Sequence, residues 1–344
     1  MRTFLLGAAA AMIGVTGATA QDISLRVGDS LPAGHVIAET ATKPWIDMIT
    51  QRSGGKLKIE YFPAEQIGKA KDFLRLTQTG LVDIGYIGPS YISEKMPLSA
   101  VAELPGASKT SCEVMHSYWS LVKEGGWLYE TEYKPNGIRP LFVVALPPYQ
   151  LIMGGDEVAS AEDLKGKKIR AAGGAQSFAL EELGMVPVRM APPEIYDAMS
   201  RGAIDGALLA YISVDSYKLT GITRSVSQGQ NFGTIVVSYA MGDEKWESLP
   251  DNVKTMLDEV GDEMVDIACK GFDDKESAAI KQLQDAGIAL MPLDDEDTAV
   301  LQGANGKIAA QWAKSLDDRG QPGSEALKNF AAALEKARAP TGDE

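Results

Sequence analysis

The stretches "LRLTQTGLVDIGYIG" (74–88) and "YDAMSRGAIDGALLA" (196–210) decide the fold. Each reads as the end of a helix, a glycine, two apolar residues, an aspartate and an apolar strand. Gly80-Leu81-Val82-Asp83 is echoed by Gly202-Ala203-Ile204-Asp205. A glycine closing a helical period is a stop signal, and a short apolar run after it reads as a buried strand.

The same order extends outward from both stretches. Before the first lie a strand with apolar residues at 23, 25 and 27, the turn "GDSLPAG", a helix over 36–55 stopped by Gly54-Gly55, the alternating strand "KLKIEYF" and the helix "KAKDFLRLTQTG". Around the second lie the strand "KKIRAAG", the helix "AQSFALEELG", the strand "VPVRM", the helix "PEIYDAMSRG" and the strand "AIDGALLAYI". A β-α-β-α-β order implies a parallel sheet with helices on its faces. Two such runs predict two α/β lobes rather than one large sheet, and a chain of 344 residues has the length for both. "FGTIVVSYAM" (232–241) is one further strand. Pro250 then opens a helical stretch to 287, about 55 Å at 1.5 Å per residue. Gly261 and Gly271 are places where it would kink or break. If continuous, it must run across both lobes. "LKNFAAALEKAR" is a last amphipathic helix, and the tail at 339–344 reads as loose. The expected partition is a leader over 1–20, lobe I over 21–145 and 233–270, and lobe II over 146–232 and 271–338.

The leader is a targeting segment. Met1-Arg2 is followed by an apolar run, and Ala18-Thr19-Ala20 is an A-x-A cleavage site, so the expected product is exported to the periplasm and cut after Ala20. Net charge is −14, which argues against nucleic acid. Export permits Cys112 and Cys269 to pair, but two distant cysteines do not prove a bridge. Neither a CxxC motif nor Cys/His metal spacing is present.

Chemistry concentrates at strand ends, where parallel α/β sheets bind ligands. Arg170 ends the strand "KKIR", and a glycine-rich turn and a helix start follow. A guanidinium there can clamp a carboxylate, or it can pair structurally with a nearby glutamate; the residues alone leave both open. "YIGPSY" and "LLAYISVDSY" follow two more strand ends, so Tyr86, Tyr91 and Tyr211 can line a cleft or simply pack. "AAGGAQS" is neither a phosphate loop nor a dinucleotide fingerprint, and nucleophile-elbow and H-E-x-x-H motifs are absent. No cofactor and no metal are expected. An enzyme is the weaker reading, because there is an anchor without an evident acid, base or nucleophile.

Taken together, residues 55–92, "AEDLKGKKIRAAG", "MAPPEIYDAMSRGAIDG" and "VVSYAMGDEKWESLP" resemble the solute-binding subunits of tripartite ATP-independent periplasmic (TRAP) transporters, of the dicarboxylate type. The matches run in order over nearly the whole chain beyond the leader. The resemblance implies a two-lobed α/β receptor of the periplasmic-binding-protein kind with a long helix spanning both lobes. It implies a cleft that closes on an organic acid and delivery to membrane permease subunits. It also implies that Arg170, the arginine of "KIR", bridges the ligand carboxylate. Departures are several. Gln150 stands where many relatives have a cationic or polar group, Gly173 and Leu209 where they have asparagines, Pro192-Pro193 in place of an aromatic, and Gly88 where some carry an acid. Each change removes a polar contact or opens space. The expected cargo is therefore a carboxylate with a bulky or less polar body, aromatic or branched, rather than a small C4-dicarboxylate. The expected ligand-binding residues are Arg170, Gln150, Tyr86, Gly88, Ser90, Tyr91, Tyr149, Gly173, Leu209, Tyr211 and His35. A monomer is expected. The alternatives are a receptor for an ATP-driven importer or a sensor, and a secreted enzyme acting on an organic acid.

Overall fold

The structure is a computed structural model, and it describes residues 23–155 and 158–339. The expected leader and the residues after 339 lie outside these. In chain order the strands are β1 (Ile23–Gly28), β2 (Leu57–Phe62), β3 (Ile84–Ile87), β4 (Ile138–Ala145), β5 (Gln150–Met153), β6 (Lys168–Ala171), β7 (Val186–Arg189), β8 (Gly206–Leu209), β9 (Ser225–Val226), β10 (Val236–Gly242) and β11 (Ala289–Leu290). They form two sheets, one per lobe. Lobe I has the order β2-β1-β3-β10-β4 and lobe II the order β11-β9-β5-β8-β6-β7. The α/β class and the two lobes are as the sequence implies.

The sheets are not wholly parallel. β1 pairs in parallel with β2 and β3, and β6 with β7 and β8. However, β10 is antiparallel to β3 and β4, and β5 is antiparallel to β8 and β9. The cause is the chain path. β4 carries the chain out of lobe I and β10 brings it back, so the two run side by side in opposite directions. Their pairing continues across the seam through Leu146 N–H to the Ile235 carbonyl (3.4 Å) and Tyr149 N–H to the Gly233 carbonyl (2.7 Å).

The sequence echo is a structural repeat. Gly80 and Gly202 each have φ +68°, a conformation that favours glycine. After each, the chain folds back on its helix: Leu81 N–H donates to the Leu76 carbonyl (2.9 Å) and Ala203 N–H to the Ala198 carbonyl (2.8 Å). Each aspartate then makes the same pair of hydrogen bonds. Asp83 donates its N–H to the Arg26 carbonyl (3.0 Å), and its carboxylate accepts the Arg26 N–H (2.8 Å). Asp205 does both with Lys168, at 2.8 and 2.7 Å. In each lobe the aspartate thus pins the start of one strand to its parallel neighbour, β3 to β1 and β8 to β6.

The long helix Asp251–Asp285 runs its 35 residues without a break, about 52 Å. Leu257, Val260, Met264, Val265, Ala268 and Phe272 join the core that fills lobe I, while Ala279 and Leu283 pack with Ile152, Ile195, Leu209 and Val214 of lobe II. The two glycines are close approaches rather than breaks. A Cβ on Gly261 would lie 1.9 Å from the Leu141 carbonyl oxygen, and one on Gly271 2.6 Å from Thr40 Cγ2. Cys112 and Cys269 are joined in a disulfide, which ties the helix Ser111–Val122 to the middle of the long helix.

Burial leaves a titration signature. It pushes the carboxyls of Glu103 to about 8, Glu132 and Glu276 to about 7 and Asp29 to about 6. A carboxyl with a raised pKa holds its proton more tightly folded than unfolded. The stability from these groups is complete below their ordinary values of 3.8 and 4.5, and is lost as pH rises through 6 to 8. His35, pushed down to about 3 by burial, acts in the opposite sense below its ordinary 6.5. Four carboxyls against one imidazole give a net fall. The ligand-free protein should therefore melt at a higher temperature at pH 5.5 than at pH 8.5 by calorimetry. A melting temperature that rises over this range would contradict the assignment.

Candidate functional site

The parallel strands point their C-terminal ends at the seam between lobes. From lobe I come the segment after β1 (Asp29–Val36) and the segment after β3 (Gly88–Ile92). From lobe II come β6, the turn after it, and the start of β5. The lobes meet here. Arg170 Nη2 lies 3.4 Å from the Tyr91 hydroxyl, Arg189 Nη2 donates to the Ser90 carbonyl (3.0 Å), and Val36 N–H donates to Ser216 Oγ (3.2 Å). The conformation is closed.

Arg170 is the centre of this seam. It sits on β6 between β7 and β8, opposite Val188 and Ala207. It is 1 % exposed. Its Nε donates to the Met190 carbonyl (3.2 Å), and among the described residues its other side-chain hydrogen bond is the long one to Tyr91. Among the described residues no carboxylate lies within ion-pairing distance of it. Burial works to lower its pKa, and the phenols of Tyr91, Tyr149 and Tyr217 work to raise it, with a net rise. The charge of Arg170 reaches Glu103 and acts to lower its pKa, but the Glu103 carboxyl accepts from Ser90 Oγ and the Val236 N–H (3.2 Å). Burial holds it protonated near neutral pH. The guanidinium is thus a buried fixed charge without a counter-ion among the described residues, and a ligand carboxylate would supply one.

An aromatic column backs this charge from lobe I. Ring centroids are 5.1 Å apart for Trp45–Phe142, 4.6 Å for Phe142–Tyr239, 5.9 Å for Tyr239–Tyr86 and 6.4 Å for Tyr86–Tyr91. Asp29 anchors its middle, accepting from the hydroxyls of Tyr239 (2.7 Å) and Tyr61 (2.9 Å) and from Leu31 N–H (2.8 Å). The last bond fixes the start of the segment that carries His35.

The eleven expected residues divide. Arg170, Tyr86, Ser90, Tyr91, Tyr149, Gly88, Gly173 and His35 come together at the seam. Gln150, Leu209 and Tyr211 do not. Gln150 Nε2 donates to the Gln230 carbonyl (2.5 Å) and its Oε1 accepts from Ser227 Oγ (2.9 Å), so its amide serves lobe II's own backbone. Leu209 packs in the lobe II core, and the Tyr211 hydroxyl donates to the Ser227 carbonyl. The space expected at two glycines is also taken. A Cβ on Gly88 would meet the Tyr91 ring at 2.7 Å, and one on Gly173 the Ser90 carbonyl at 2.5 Å and Arg189 Nε at 2.7 Å. Their lack of a side chain admits a neighbour, not cargo. Gly173 also has φ +131°.

Three residues belong to the seam and escape the sequence reading. Tyr217 closes the stretch "LLAYISVDSY". Six residues from Tyr211, it turns to another face of the short helix Ile212–Ser216. Arg189 ends β7, a strand-end cation like Arg170, and that signal was available. Glu103 lies in a helical turn with no motif. In space, Cys112, His116 and Cys269 form a cluster of possible metal ligands within 4.8 Å, which spacing alone does not reveal; the disulfide occupies both sulfurs.

A profile of the family "Bacterial extracellular solute-binding protein, family 7" matches residues 27–315. The chain belongs to this family. It is a solute-binding receptor, and the enzyme alternative is set aside with it. A solute-binding protein of Albidiferax ferrireducens is 26% identical over 311 residues, covering 84% of this chain and 86% of that one. A TRAP solute-binding protein from a marine metagenome, described as specific for aromatic acid ligands and solved with 3-hydroxybenzoate, is 26% identical; it superposes with TM-score 0.84 over 92% of this chain and 99% of its own. A TRAP solute-binding protein of Rhodoferax ferrireducens, solved with copurified benzoate, has the same fold at 22% identity, with TM-score 0.82 over 92% of this chain and 98% of its own. No helix among the described residues is long and apolar enough to cross a membrane.

Proposed function

We propose that this receptor binds an aromatic carboxylate in the interlobe cleft, with Arg170 on the carboxylate and tyrosines around the ring. The observation that carries this reading is a buried guanidinium with no carboxylate partner among the described residues, 3.4 Å from the Tyr91 hydroxyl and within electrostatic reach of the phenols of Tyr149 and Tyr217. Aromatic faces supply apolar contact, and a phenol edge still tolerates a polar substituent. The aromatic-acid relative supports the same class. The mature receptor would act in the periplasm after cleavage behind Ala20, as a monomer that hands its cargo to TRAP permease subunits. Its lobes would divide at 145/146, at 232/233 and within the long helix beyond Asp273 rather than at 270/271, because Phe272 and Asp273 pack and bond in lobe I and the last helix, Gly323–Arg338, also packs there. Closure would move the lobes as rigid bodies.

Thermal unfolding against paired ligands tests this. Benzoate and mandelate should stabilise the protein by about 2.7 kcal/mol at roughly 100 times their dissociation constants, and benzamide should not. Tight binding of succinate or malate without response to aromatic acids would overturn the reading. The cleft also predicts a pH effect. Above about 8 Glu103 ionises beside Arg170 and competes with the ligand carboxylate. Affinity measured by calorimetry should fall between pH 7 and 9 in the wild type and stay level in Glu103→Gln.

A further inference from the structure

On the lobe I side of the seam lies a second polar feature. His35 is completely buried. Its Nδ1 accepts the Ile37 N–H at 3.1 Å, which places the ring proton on Nε2. That Nε2–H has no partner among the described residues. Five residues earlier Ser30 Oγ is equally buried and equally without a partner. His35 is a lobe I residue, but its ring lies against Tyr217 of lobe II, centroids 4.8 Å apart. Tyr217 in turn feels the charge of Arg170 and the phenols of Tyr91 and Tyr149. His35 therefore sits across the seam, one tyrosine ring removed from the anchoring cation. Buried donors are almost always satisfied, so an orphan at a binding seam marks a place for a ligand atom.

Resting on the carboxylate reading above, we propose that His35, with Ser30 beside it in sequence, reads a neutral oxygen on the cargo at the end remote from its carboxylate, a ring hydroxyl being the fitting group. The donor on Nε2 demands an acceptor. A neutral imidazole offers no charge to balance a second carboxylate, and Asp29 already acts on Tyr217 as a neighbouring acid. A dianion at this end would be buried uncompensated, whereas a hydroxyl oxygen accepts from Nε2 and can donate onward. A site built this way rejects the analogue that lacks the oxygen, since its own donor is then left unmatched.

The test is a titration series on the wild type by calorimetry, using benzoate, its 3-hydroxy and 4-hydroxy forms and isophthalate. At least one hydroxybenzoate should bind roughly tenfold or more tightly than benzoate, and isophthalate should bind more weakly than benzoate. In His35→Phe the hydroxybenzoate's advantage over benzoate should vanish. Ser30→Ala should reduce the same advantage and serves if the histidine variant fails to fold. Equal affinity for benzoate and every hydroxybenzoate, or an advantage that survives both substitutions, overturns this inference and leaves the carboxylate reading standing. If benzamides bind as well as the acids, or no acid binds, the carboxylate reading itself falls.

Discussion

Arg170→Gln is expected to weaken an aromatic carboxylate by about 2–5 kcal/mol, roughly thirtyfold to several thousandfold, while the ligand-free protein melts no lower than the wild type. The two halves of this result come from one feature. Removing one partner of a buried, hydrogen-bonded charge pair is costly because the other is left without its counter-ion. In the bound receptor the ligand carboxylate would be that orphan. Without ligand, Arg170 is the unmatched charge, 1 % exposed and lacking an ion pair among the described residues. Glutamine removes the unmatched charge and loses only the hydrogen bond to Met190 and the long contact to Tyr91. A structural arginine would behave differently: its loss would lower the melting temperature in the absence of any ligand. Parallel melting curves and titrations of the two proteins separate the cases. A variant that melts several degrees lower yet binds acid normally would return Arg170 to a structural role.

The fold was legible because its signals are local and repeated. Gly80 and Gly202 stop helices, Asp83 and Asp205 open strands, and both lobes obey the same short pattern. The antiparallel strands were not legible, because "FGTIVVSYAM" has the same apolar character whichever way it runs. Its direction is set by the chain's return from lobe II. Gly261 and Gly271 misled for a related reason. A glycine in a helix signals a break or a close neighbour equally well, and only the Leu141 carbonyl against Gly261 distinguishes them.

The site was legible where strand ends carry it and illegible where side chains choose a face. Arg170, Tyr86 and Tyr91 follow from position along the strands. Gln150 has a suitable position and a polar side chain, but Ser227 and the Gln230 carbonyl take its amide. Tyr211 and Tyr217 differ by a rotation that one sequence cannot show. The sequence argument for an aromatic or branched acid rests on space opened by lost polar groups, and two of those positions leave no such space. Gly88 and Gly173 make room for Tyr91 and Arg189. The apolar character of the cleft comes from the tyrosines themselves.

Removing the disulfide should be the most costly change to stability that leaves the cleft intact. The bridge joins residues 157 apart, and constraining a loop of that length is worth about 2–5 kcal/mol, chiefly through the unfolded chain. Cys112→Ala with Cys269→Ala should lower the melting temperature by several degrees. Both cysteines lie among residues packed in lobe I: Cys269 is buried in the long helix beside Ala268 and Phe272, and Cys112 opens the helix that packs on it. Arg170, Tyr149 and Tyr217 lie on other elements. The loss should therefore appear in unfolding of lobe I, with the affinity for an aromatic acid unchanged within about twofold, because the native cleft contacts remain. Calorimetry with and without saturating ligand reads both quantities in one experiment. An affinity that fell with the stability would mean that the long helix transmits lobe I's order to the cleft, and that the bridge sets how the lobes close as well as how firmly one of them holds together.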